Sequence, residues 1–234
     1  MKNIHWLGSG LSSIPGIRRL ASNNYNLTVW NRTLSKAQKS IDHVKTDKVS
    51  AKTFNINEIE KKVEQGDIIV SQLTASMHLD IAKICLEKKC HFVTTSYLAP
   101  DIKKLNEQAV AQNLTFINEV GLDPGIDHFF SHLLVQELKS LNLNNLSVSY
   151  KSYCGGIPAV PNDFKYKFSW SPVGVIKALN SPAKFTQNFE EKLVPQPYKE
   201  VKNHLINSES FEAYPNRDSL PYIEEYLFSP EWKI

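Results

Sequence analysis

Two glycines set two residues apart, Gly8 and Gly10, follow a short apolar run and precede an amphipathic one. In Gly8-Ser9-Gly10-Leu11-Ser12-Ser13 the first glycine permits a tight turn. The second lets the backbone approach a pyrophosphate, and a helix starting just beyond aims its N–H groups and positive dipole end at that anion. A lone G-x-G is a weak signal, but its place directly after an amino-terminal strand strengthens the dinucleotide reading. Ser13 stands where the fingerprint has its third glycine, and is small enough to keep helix and sheet close. The second strand ends in Asn31-Arg32-Thr33. No carboxylate is offered there to a ribose 2′-OH, and Arg32 can pair with a 2′-phosphate, so NADP is favoured, with NAD as the alternative. The competing reading of Arg32 is a solvated surface arginine.

Other reactive side chains carry two readings each. Cys154 lies between Tyr153 and two glycines that leave room for a ligand; it either assists acid–base work or is a small buried apolar residue. His128, at a helix start after Asp127, is either a general base or a structural histidine. Trp170 either lines a cofactor or substrate cleft or belongs to a core. The three cysteines, Cys85, Cys90 and Cys154, are odd in number and lack metal-ligand spacing, so no metal is expected. Their pattern fits a reducing compartment.

The elements needed to position these groups alternate along the first half. Strands are expected at Ile4–Leu7, Leu27–Trp30, Ser50–Phe54, Asp67–Val70, His91–Thr95 and Thr115–Asn118. Helices are expected over about 11–22, from a Ser35 cap to Ile41, from an Asn57 cap to Gly66, over 77–89 and from Pro100 to about Asn113. Repeated β-α units with short connections imply a parallel sheet covered on both faces, a Rossmann-type doubly wound fold. The pattern changes at Gly121-Leu122-Asp123-Pro124-Gly125. A domain boundary is placed there, giving 1–122 and 123–234. A helix over 127–140 and strands at Leu146–Tyr153 and Tyr166–Trp170 are expected in the second, α/β substrate domain.

Composition bounds the partners. Of 234 residues, 41% are hydrophobic, enough for a core without disulfides. The formal charge of +3 is spread among acidic residues, so no nucleic-acid surface is expected. No stretch approaches the roughly 18 apolar residues that span a bilayer, and the amino terminus does not read as a signal peptide. A cytoplasmic protein acting on a small molecule is the expectation.

Five segments in order narrow this reading: Val93–Tyr97, Gly121–His128, Ser152–Gly156, Tyr166–Pro172 and Pro215–Ser219. Together they resemble the saccharopine dehydrogenase family, in its NADP-dependent, glutamate-forming branch, over essentially the whole chain. The resemblance implies a Rossmann domain joined to an α/β substrate domain. It also implies reversible oxidation of the secondary amine of saccharopine to an imine, then hydrolysis to glutamate and 2-aminoadipate 6-semialdehyde, in lysine metabolism. By the same resemblance Ser96, Tyr97, Asp123 and Arg217 touch the substrate, an amino acid with three carboxylates. Tyr97 and Asp123, with Cys154, are the catalytic candidates. Cofactor contacts fall on Ser9, Gly10, Leu11, Ser12, Arg32 and Thr33, then Ser71, Gln72, Thr94 and Thr95, with Trp170 along the cleft. A homodimer is common for such folds.

The chain departs from the family in places. Leu73-Thr74-Ala75-Ser76-Met77-His78 stands where many members have a Pro-Tyr pair, and Val173 replaces a frequent arginine. Members run well past Arg217, whereas this sequence stops at Ile234, so the second domain is expected to be short at its carboxyl end. Two other readings compete: a carboxynorspermidine dehydrogenase-like enzyme performing the same imine reduction, and a shortened, non-catalytic nucleotide-binding homologue.

Overall fold

The computed structural model describes residues 2–234. It divides into two compact units, Met1–Ile126 and Asp127–Ile234.

In the first unit the β-branched and aromatic runs form strands β1 (Ile4–Leu7), β2 (Leu27–Asn31), β3 (Val49–Thr53), β4 (Ile68–Ser71), β5 (His91–Thr94) and β6 (Phe116–Ile117). Between them lie helices α1 (Ile14–Ser22), α2 (Leu34–Ile41), α3 (Ile56–Lys62), α4 (Ala75–Lys88), α5 (Pro100–Lys103) and α6 (Asn106–Ala111). The six strands pair in the order β3-β2-β1-β4-β5-β6, all parallel. The order reverses between β1 and β4, which is the doubly wound pattern. One core packs Leu7, Trp30, Ile69 and Phe92 against α3 and α4 through Ile59, Ile81, Ala82 and Cys85. The other packs Ile4, Leu27, Val29 and Val70 against Ile17 and Ala21 of α1 and Ala37 of α2.

Local corrections have simple causes. The cap of α3 is Asn55, whose side chain accepts from the N–H groups of Asn57 and Glu58, so Asn57 lies inside the helix. Helix α2 begins one residue before Ser35, with Thr33 at its cap position. The segment 100–113 is broken into α5 and α6 at Lys104-Leu105.

At the foot of β1 the buried Asp67 carboxylate accepts from the Asn3 backbone N–H (2.9 Å), the Glu64 N–H (2.9 Å) and His5 Nε2 (3.3 Å). Trp30 Nε1–H donates to His5 Nδ1 at 3.3 Å. Since Nδ1 accepts, the ring proton sits on Nε2 and faces Asp67, so the neutral imidazole satisfies both neighbours.

The second unit holds α7 (Ile126–Ser140, beginning at the division), α8 (Pro172–Asn180), β7 (Ala183–Gln187), β8 (Glu190–Val194), β9 (Lys202–Ile206), β10 (Glu209–Ala213) and α9 (Pro221–Glu225). The strands form two antiparallel hairpins. Each hairpin turns on two residues with positive φ, Asn188-Phe189 (54° and 68°) and Asn207-Ser208 (49° and 69°). That is the type I′ geometry which matches strand twist and which asparagine tolerates. A small core joins Val135, Tyr226 and Trp232, flanked by Leu138, Val148, Tyr150 and Phe228. The strands expected at 146–153 and 166–170 do not form. A strand needs a ladder partner, and here, among the described residues, the backbone of Leu146 and Val148 bonds the single residue Lys233, while Lys167 N–H bonds the Gly156 carbonyl. Helix α7 buries Ser131 and Val135 yet leaves Phe129, Phe130, Leu133 and Leu134 more than half exposed. Among the described residues, no helix is long and apolar enough to cross a membrane.

Candidate active site

Because every strand of the first sheet is parallel, the residues after β1, β2, β4, β5 and β6 collect along one edge of that sheet. The glycine turn lies there. Gly8 has φ of +98°, and a Cβ on it would come within 2.6 Å of the Gln72 carbonyl oxygen, so only glycine fits between β1 and β4. Gly10 has open space where a side chain would be, and Leu11 beside it is 64% exposed. Leu11–Ser13 make one 3₁₀ turn leading into α1. The close helix–sheet approach is made at Gly16, where a Cβ would meet the Trp6 ring at 2.6 Å. Ser13 was expected to fill that role. It is buried, but the steric demand falls one helical turn later.

The end of β2 is tied to this turn. Asn31 Nδ2 donates to Ser9 Oγ, and Asn31 Oδ1 accepts from the Thr33 N–H at 3.0 Å. Arg32 and Thr33 are exposed beyond it, with no carboxylate in the tripeptide. From sequence alone Asn31 carries no role of its own, although Asn at a strand end two residues before a helix cap has the range for such a turn.

The ends of β4 and β5 are cross-linked. Thr95 Oγ1–H donates to Gln72 Oε1 at 2.9 Å. Ser71 and Thr94 are buried, and between them sits His78 of α4, 2% exposed. His78 Nδ1 is 2.9 Å from Ser71 Oγ and its Nε2 is 2.8 Å from Ser96 Oγ. Burial lowers the His78 pKa below the ordinary histidine value, which favours the neutral ring. The segment after β6 then folds back over this edge: the Glu119 N–H donates to the Ser96 carbonyl at 3.1 Å, and Glu119 Oε1 accepts from the Leu98 N–H at 2.8 Å. Tyr97 O–H donates to Asp123 Oδ1 at 2.7 Å. Two residues singled out in the sequence 26 positions apart thus form one hydrogen-bonded pair, with Asp123 exposed. The Asp123–Pro124 peptide is cis.

Cys154, Trp170 and Arg217 belong to the second unit, on three separate segments. Cys154 is exposed, which removes the buried-apolar reading. Trp170 is 44% exposed and packs over Gly174 at the start of α8, so it is not a core residue. Arg217, exposed and with φ of 55°, follows β10; its carbonyl accepts from the Lys184 N–H of β7 at 2.8 Å. His128 lies in the aromatic core of this unit, with Nδ1 2.7 Å from Tyr226 Oη and its ring stacked on Tyr222. Burial pushes the Tyr226 phenol up to about 12.

Comparisons with known proteins cover both units. Residues 4–117 match the family model of the saccharopine dehydrogenase NADP binding domain, and residues 121–233 match that of the saccharopine dehydrogenase C-terminal domain. The chain belongs to the saccharopine dehydrogenase family. A saccharopine dehydrogenase [NADP(+), L-glutamate-forming] of Schizosaccharomyces pombe is 36% identical over 97% of this chain and 52% of its own length. The mitochondrial alpha-aminoadipic semialdehyde synthase of Rattus norvegicus is 33% identical over 97% of this chain and 25% of its own. The apo structure of saccharopine dehydrogenase (L-Glu forming) from Saccharomyces cerevisiae superposes with a TM-score of 0.83 at 32% identity, over 100% of this chain and 53% of that one. The chain therefore spans about half the length of the fungal relatives.

Proposed function

We propose that this protein binds NADP and interconverts saccharopine and water with glutamate and 2-aminoadipate 6-semialdehyde, in lysine metabolism. The observation that carries the reading is the Tyr97–Asp123 pair, held at 2.7 Å on the same sheet edge as the glycine turn. The names of the relatives agree with it. The residues present suit a dinucleotide. Gly8 and Gly10 would leave its pyrophosphate room, Ser9, Leu11 and Ser12 would supply the turn around it, and Arg32 and Thr33 would take the 2′-phosphate. Gln72 and Thr95 would follow along the edge toward the nicotinamide, with the buried Ser71 and Thr94 behind them.

When bound, the oxidised cofactor supplies the hydride acceptor. The carbon–nitrogen single bond of saccharopine loses a hydride from carbon and a proton from nitrogen, and water then cleaves the resulting imine. Asp123 holds the amine and Tyr97 shares its proton, the 2.7 Å bond giving that proton a route. Ser96 and Arg217 bind substrate carboxylates, Arg217 as a fork. By the family resemblance, Cys154 assists proton transfer and Trp170 contacts the cofactor. The buried thiols of Cys85 and Cys90 support a cytoplasmic setting, since such thiols persist where disulfides are reduced.

The test follows nicotinamide absorbance of the purified protein with NADP⁺ and saccharopine. Turnover is expected, with Arg217→Ala raising KM and Asp123→Asn lowering kcat. Absence of saccharopine-dependent reduction defeats the proposal, and turnover of carboxynorspermidine instead would shift the reading to that related imine chemistry.

A further inference from the structure

His78 is not among the residues expected to contact ligand, yet three hydroxyls converge on its ring. Nδ1 meets Ser71 Oγ at 2.9 Å; Nε2 meets Ser96 Oγ at 2.8 Å and Thr94 Oγ1 at 3.4 Å. The ring is carried on α4, which connects β4 to β5, so one side chain bridges the ends of both strands. Ser96 is held from its other groups too. Its N–H donates to Thr94 Oγ1 at 3.2 Å, and its carbonyl accepts from Glu119 at 3.1 Å. Only the hydroxyl retains a rotational choice, and His78 settles it.

We propose that His78 is a positioning residue that orients the Ser96 hydroxyl toward the anionic end of the amino-acid substrate. With the ring proton on Nε2, Nδ1 accepts from Ser71 and Nε2–H donates to Ser96 Oγ. The Ser96 O–H is then turned outward as a donor, which matches a carboxylate. A hydroxyl donating into the ring would offer the substrate only lone pairs. Because Tyr97 follows Ser96 directly, the same fixation sets the strand end from which the phenol reaches Asp123.

This inference rests on the amino-acid substrate reading above, and its test separates the two. The side-chain amide of His78→Gln reaches the Nε2 position, so it can still donate to Ser96. That of His78→Asn reaches only the Nδ1 position and keeps only Ser71. For saccharopine, His78→Asn should raise KM about tenfold, the effect of losing a hydrogen bond to a charged group, with kcat little changed. Ser96→Ala should do the same, and the double variant should be no worse than either, since the two share one interaction. His78→Gln should stay within about twofold of the parent, and the NADP dissociation constant should not move in any of them. Additive losses, or equal losses in the Gln and Asn variants, overturn the proposal. If the parent protein does not turn over saccharopine, the functional reading falls on its own. Amide exchange then decides this one: the Ser96 and Leu98 N–H groups should exchange faster in His78→Asn than in His78→Gln, and equal rates would overturn it.

Discussion

Mild acid should weaken this fold through two buried imidazoles. Protonating His5 would set an Nδ1–H against the Trp30 Nε1–H now donating to it, in a site 5% exposed. His78 is enclosed among hydroxyls at 2% exposure. Burial lowers both pKa values below the ordinary 6.5, for His5 against the opposing pull of Asp67. The sign follows directly. Between the lowered folded values and about 6.5 the unfolded chain binds more protons than the folded one, so stability is complete above that window and falls as the pH drops into it. One pH unit below the unfolded value, each ring costs at most about 1.4 kcal/mol, and the two together at most about 3 kcal/mol. Asp67 is silent in this range. Burial raises its pKa, but the N–H groups of Asn3 and Glu64 outweigh that and hold it below the usual carboxylate value, so its contribution is lost only in stronger acid. Urea titrations at about pH 7.5 and about pH 5.5 measure the difference, and His5→Gln should reduce it by roughly half. A parent protein equally stable at both values would refute the reasoning.

Gly16→Ala should cost about 1–3 kcal/mol by overpacking, because the new methyl meets the Trp6 ring at 2.6 Å; unchanged urea stability would reject this. Arg32→Ala should weaken NADP about tenfold or more while leaving NAD nearly unaffected, read by fluorescence titration; equal losses for both cofactors would remove Arg32 from the 2′-phosphate site. Cys85 and Cys90 should resist a disulfide reagent until the chain unfolds, since burial raises both thiols, Cys90 to about 11. Rapid native labelling at either would contradict their packing.

The first unit was legible because its strands are short apolar runs separated by helical periodicity, and the central strands β1, β2, β4 and β5 are largely buried between the helices. Within the site, Tyr97 and Asp123 were each reached through motif resemblance, but their pairing was not, since neither spacing nor periodicity joins them. His78 escaped notice because its partners Ser71 and Ser96 come from two other segments, 7 and 18 positions away. A sequence shows a histidine on a helix but not which strand ends flank it. Gly16 escaped for a related reason: the fingerprint points to position 13, while the crowding depends on how far the Trp6 ring reaches. In the second unit the hairpin strands Glu190–Val194 and Lys202–Ile206 are polar and mostly exposed, so no alternation marks them. Their signals were the turn residues Asn188 and Asn207, whose left-handed tolerance outweighs the weak strand pattern.

The strip of phenyl and isobutyl groups on α7 governs how the protein must be handled in solution. Attraction between such surfaces grows when sulfate or phosphate is added and fades with urea. Buffers of high salting-out strength will therefore draw molecules together through this helix, the reverse of what they do to charge-driven contacts. Trading Phe130 and Leu134 for serine would leave the buried Ser131 and Val135 in place and should raise the sulfate concentration at which the protein comes out of solution.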